Sequence, residues 1–120
     1  MINIYRKAVY EACVVAGIPV YDYWVTDKPF PYVIISNVAV DDRNLKMNKR
    51  NDFTFTVDIF DKEEGKSSVV AYANEIAAVL SEIDGVNVQI STRYLSDIQP
   101  NVMHAVQTLR FTKYEKREVM

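Results

Sequence analysis

From Phe53 to Ile59 the chain alternates without a fault: Phe53, Phe55, Val57 and Ile59 on one side, Thr54, Thr56 and Asp58 on the other. A period of two predicts a half-buried strand, and one apolar face against one polar face favours antiparallel pairing. "DKEEGKSS" is the turn that follows, and beyond it the period changes. Val69, Tyr72, Ala73, Ile76, Ala77, Leu80 and Ile83 recur at helical spacing, opposite Asn74, Glu75, Ala78 and Glu82. A helix is expected there, capped by Ser67 or Ser68, running to about Ile83 and ended by Gly85.

The same spacing marks a first helix from about Ile4 to Ala16. Tyr5, Ala8, Val9, Ala12, Cys13 and Ala16 share a stripe, with Arg6, Lys7 and Glu11 on the other side. Asn3 fits an N-cap and Gly17 the left-handed residue just past the end. "IPVYDYWVTDKPFPY" is punctuated by Pro19, Pro29 and Pro31, each of which turns its predecessor away from helix. It predicts a short strand near Val20 and then a loop. "YVIISNVAV", Tyr32 to Val40, is apolar on both alternating faces and predicts a strand covered on two sides.

"DDRNLKMNKRND" then interrupts the apolar pattern for twelve residues, long for a hairpin connection. "VNVQISTRYLSDI" and "VMHAVQTLRFTKYE" alternate again around "QPN" and predict a closing hairpin. Residues 1–120 thus form a single domain of the α+β class. Its expected architecture is one mostly antiparallel β-sheet with two α-helices packed on one face, plus a long β-hairpin arm.

Composition narrows the function classes. At 120 residues, 49% hydrophobic and 25% charged, the chain can build one core unaided. A net charge of −2 supplies no basic field to recruit nucleic acid. The lone Cys13 has no internal disulfide partner, which points to assembly in a reducing cytoplasm. No apolar run approaches the roughly 20 residues of a membrane span, and the N-terminus is amphipathic rather than signal-like.

Candidate chemistry is sparse. One cysteine and one histidine do not make a zinc site, and Asp41 with Asp42 lack the further oxygens of a calcium loop. No phosphate-binding or nucleophile-elbow motif occurs. His104 lies in a predicted strand beside Met103 and Ala105, which favours a structural or interface role; an enzyme would have to rest on it with Asp97 or Tyr94. No catalytic residue, cofactor or metal is therefore expected. Two features suit binding. "RNLKMNKR" sets Arg43, Lys46, Lys49 and Arg50 together with no acid between them, and Leu45 and Met47 add apolar anchors that favour a protein partner over phosphate alone. Tyr21, Tyr23, Trp24, Phe30 and Tyr32 crowd twelve residues, and such aromatics are enriched at subunit interfaces.

The order of elements, with "VYDYWVTDKPFPYVII" and the terminal "HAVQTLRF", resembles the tail terminator, or tail completion, family of long-tailed bacteriophages. The likeness lies in Val20-Tyr21-Asp22, in the strand start Pro31-Tyr32-Val33, in the turn and alanine-rich helix from Asp61 to Leu80, and in the strand Ala105 to Phe111. It spans nearly the whole chain. Where the family often has glycine shortly after Pro-Tyr-Val, this chain has Ser36. The resemblance implies a virion protein, assembled in the host cytoplasm, that forms a hexameric ring at the tail-neck junction. Such a ring binds the tail tube protein, ends tube polymerisation and presents a surface to the head-tail connector protein. Genomic DNA passes its lumen without sequence-specific binding, and no membrane is involved. The expected interface residues are Tyr21, Tyr23, Trp24, Arg43, Lys46, Met47, Lys49 and Arg50. Two other readings are open from sequence: another head-tail neck protein, and a cytoplasmic α/β module holding a small ligand near Trp24.

Overall fold

The computed structural model describes residues 2–21, 29–44, 48–62, 66–83, 87–96 and 102–116. The elements follow as α1 (Ile2–Ala16), β1 (Val20–Tyr21), β2 (Tyr32–Asn44), β3 (Asn48–Lys62), α2 (Lys66–Leu80), β4 (Asn87–Ser96) and β5 (Val102–Lys116). One five-stranded sheet has the order β1-β2-β3-β5-β4. Its single parallel pairing sets Val20 and Tyr21 beside Val33 and Ile34; the other three are antiparallel. The α+β class and the mostly antiparallel sheet are as the alternation predicts.

Helix α1 ends at Gly17 because the chain must turn left-handed there, at φ 78°, which glycine adopts without a Cβ clash. Gly17 N–H donates to the Val14 carbonyl at 3.0 Å and Ile18 N–H to the Cys13 carbonyl at 3.1 Å. This is a Schellman closure, and the buried Ile18 and Cys13 supply its apolar contact. The other helix ends differ from expectation. α1 begins at Ile2, so Asn3 lies inside the first turn rather than capping it, and α2 begins at Lys66, so Ser67 and Ser68 are already helical. α2 also ends at Leu80, earlier than the stripe suggested, with Ser81, Glu82 and Ile83 following in a tightening turn. Gly85 lies outside the described residues.

Strand β2 explains its own two-sided pattern. Ile35 pairs with Val57 and Asn37 with Thr56, so Ser36 is an extra residue at a β-bulge. The bulge shifts the alternation by one. Val33 and Ile35 before it, and Val38 and Val40 after it, consequently fall on the same face, opposite Ile59, Val57, Phe55 and Phe53. Ser36 Oγ donates to the Thr56 carbonyl at 3.3 Å. The departure from glycine noted above therefore sits at the bulge.

The polar stretch after Val40 is strand, not loop, from Asp41 to Asn44 and again from Asn48. β2 and β3 stay paired out to Asn44 with Lys49, and β3 keeps β5 alongside as far as Asn48 with Lys116. Strands of 15 residues in β3 and β5 span about 50 Å at roughly 3.3 Å per residue, so the sheet runs well past the helices of the same residue count, which rise only about 1.5 Å per residue. The apolar pattern stops short of the strand ends. Pairing does not.

Both helices pack on one face. Val9, Ala12 and Cys13 of α1 and Val69, Ala73, Ile76 and Leu80 of α2 join Phe53, Phe55, Val57, Ile59, Ala105, Leu109 and Phe111 in the main core. Tyr5 stacks between Phe53 and Phe111, each centroid 4.9 Å away. A polar side chain enters this core: Gln107, fully buried, donates through Nε2 to the Ala73 carbonyl at 2.9 Å and to Thr92 Oγ1 at 3.2 Å. It ties α2 to the centre of the sheet. On the other face a smaller cluster of Tyr32, Ile34 and Phe60 is flanked by Tyr21, Phe30 and Val102.

Candidate assembly interface

The aromatic segment divides between core and surface. Tyr21, on β1, is half-buried and meets Tyr32 edge-on at 6.3 Å. Phe30, which precedes Pro31 across a cis peptide bond, stacks on Tyr32 at 5.4 Å, and Tyr32 in turn lies 5.2 Å from Phe60. These three therefore build the second cluster on the sheet face away from the helices. Tyr23 and Trp24 lie outside the described residues.

Of the basic residues, Arg43 is exposed near the end of β2, with Nε 3.6 Å from Asp41 Oδ2. A pair so exposed contributes little. Lys49 is half-buried on β3 opposite Asn44. Arg50 behaves differently from a free cation on an arm: its Nε donates to Asp52 at 3.1–3.2 Å. Lys46 and Met47 lie outside the described residues. The structure thus brings Arg43, Lys49 and Arg50 to one end of the sheet, with Arg50 directly across from Arg43, and leaves Tyr21 on β1.

Two polar constellations on the sheet face away from the helices escaped the sequence. Asp52 is buried although it belongs to the polar side of β3. Burial by itself would raise its pKa, but Thr112 Oγ1 at 2.6 Å, Arg110 Nη2 at 3.0 Å and Arg50 Nε all donate to the carboxylate, and Arg110 adds its charge. The balance holds the group down to about 2. Thr112 is the cross-strand partner of Asp52, and Arg110 lies one step along the same face, so register alone assembles the set. The second constellation is His104, with Nε2 2.6 Å from Asp58 Oδ1 and its ring stacked on Phe60 at 4.3 Å. Strict alternation places all these residues on one face; what sequence lacked was the β3–β5 register.

Chemically this surface can bind but has little to react with. Tyr94, considered above as a partner for His104, stands opposite Ala105 and therefore on the other face of the sheet; Asp97 lies outside the described residues. Cys13 is fully buried and its thiol is pushed up to about 12 by that burial, so it is not a nucleophile at neutral pH. Among the described residues no three His, Cys, Asp or Glu side chains group as metal ligands, and no helix is long and apolar enough to cross a membrane. A depression of about 180 Å³ on β4 and β5, lined by Gln89, Ile90, Ser91, Thr108 and Arg110, is below the usual size of a small-molecule site.

Comparison with known proteins agrees with this picture. The fold resembles a chain from the virion of a native gene transfer agent particle, at 18% identity and TM-score 0.62, covering 90% of this chain and 92% of that one. No curated protein matches the sequence. The model of the tail completion protein gp17 family matches residues 7–112. That match runs from within α1 to within β5, most of the chain, and the chain therefore belongs to the tail completion protein gp17 family, structural proteins of phage tails.

Proposed function

We propose that copies of this protein form a hexameric ring on the end of the completed tail tube, stop its polymerisation and offer the joining surface for the head-tail connector. Genomic DNA then passes through the lumen without sequence-specific contact. The subunit makes and breaks no bond in this role. The observation that carries the reading is the family match across residues 7–112. The shape shared with a chain of a gene transfer agent virion supports it at the level of fold. Exposed apolar side chains support it further: Ile4, Tyr10, Val14 and Val15 lie on the side of α1 turned away from the core, an unusual choice for a face that only meets water.

Within that assembly the basic end of the sheet acts as an arm toward a neighbouring subunit or the tube, through Arg43, Lys46, Met47, Lys49 and Arg50. Tyr21, Tyr23 and Trp24 form a second contact. Because Arg50 also supports buried Asp52, the arm is best tested at its neighbours. Arg43→Glu with Lys49→Glu should leave the circular dichroism unchanged and reduce association, read by light scattering after size exclusion across a concentration series. Normal association of the double variant would show that the arm touches no partner.

A further inference from the structure

Among the described residues the sheet ends in two unpaired edges. Beyond Ile34 no strand pairs with the outer side of β2 among the described residues, and none pairs with the outer side of β4. These edges are long and point in opposite directions across the sheet. β2 past its bulge runs straight from Asn37 to Asn44, and β4 offers 10 residues from Asn87 to Ser96 with no proline. Ala39 to Arg43 are all exposed, as are Arg93, Tyr94 and Leu95. An edge of this kind carries a row of backbone donors and acceptors ready to template another strand.

Exposed apolar side chains gather at the same two edges. Val40 is 49% exposed on β2, and Tyr94 and Leu95 are 43% and 38% exposed on β4. Strand direction fits as well. β2, β3, β5 and β4 alternate in direction through three antiparallel pairings, so β4 runs opposite to β2. Copies related by rotation about a ring axis keep that relation, and β4 of one copy would meet β2 of the next antiparallel. This contact is heterologous, the type that closes rings.

We propose that the subunit contact is strand addition between copies: β4 of one subunit pairs with β2 of its neighbour, making one continuous sheet around the ring. This rests on the ring reading and deepens it. The register follows from the faces. Val40 and Tyr94 both belong to the helix-bearing face, as Val40 opposes Phe53 and Tyr94 opposes Ala105. Setting Val40 opposite Tyr94 of the next copy places Asp41 opposite Arg93 and Ala39 opposite Leu95 on the other face. One alignment thus pairs apolar with apolar and negative with positive, and cross-strand pairs of both kinds stabilise a sheet.

Cross-linking tests this directly. Val40→Cys/Tyr94→Cys, oxidised in the associated protein, should give a disulfide ladder rising to the closed ring, while either single variant stays monomeric on a non-reducing gel. Buried Cys13 takes no part. As an independent readout, Asp41→Arg and Arg93→Asp should each weaken association severalfold, and the two together should restore it. A multimer by light scattering with no cross-link and no charge rescue overturns strand addition but leaves the ring. Dimers from Tyr94→Cys alone overturn it in favour of β4 pairing with itself. A monomer at all concentrations, with or without tail tubes, overturns the ring and the pairing together.

Discussion

Asp52 receives three side-chain donors in a buried position, and this couples fold stability to pH. Its carboxyl titrates near 2 in the folded chain, below the ordinary value of 3.8. The folded state therefore binds its proton less readily than the unfolded chain. Stabilisation from this group is complete above about pH 4 and lost as pH falls toward about 2, on the order of 2 kcal/mol in all. Urea denaturation at stepped pH should show that loss in the parent and not in Asp52→Asn. Asp52→Asn should itself cost about 2–4 kcal/mol at pH 7, because Arg50 and Arg110 lose their carboxylate. Equal acid sensitivity in the two proteins would mean other carboxylates dominate. The sequence showed Asp52 only as part of a polar break; burial of a carboxylate on the polar side of a strand depends on which residues of β5 stand opposite, and that is a long-range fact.

Local chemistry was legible at the level of elements, and tertiary register was not. Periods of two and three-to-four located both helices and the four longer strands, because burial on one face forces those periods, while the short β1 was read from the prolines around it. Gly17 was readable as a helix end since few residues accept a left-handed turn. Its backbone is at φ 78° with nothing within 4 Å of an added Cβ, so Gly17→Ala should cost only the backbone strain, about 1 kcal/mol. A thermal melt checks this, and an unchanged midpoint would show that the turn relaxes freely. Two elements misled for physical reasons. The bulge at Ser36 reset the alternation of β2, so apolar residues seemed to occupy both faces. The stretch after Val40 lost its apolar pattern, although β3 still pairs there on both sides. Of the expected interface, Arg43, Lys49 and Arg50 come to one end of the sheet, where the sequence suggested a long connection; the tie from Arg50 to Asp52 needed three-dimensional register.

At the scale of the whole molecule, an α+β fold with both helices on one sheet face and, among the described residues, two long unpaired edges suits repetition around an axis more than solitary work. In the role proposed above, the assembled protein ends tube growth. The most direct measurement is the length of tail tubes, by electron microscopy, when tube protein polymerises with increasing amounts of this protein. The account predicts that tubes shorten as the protein is added and that capped ends carry a six-fold ring. Tubes that reach the same lengths at every ratio, with bare ends, would contradict it.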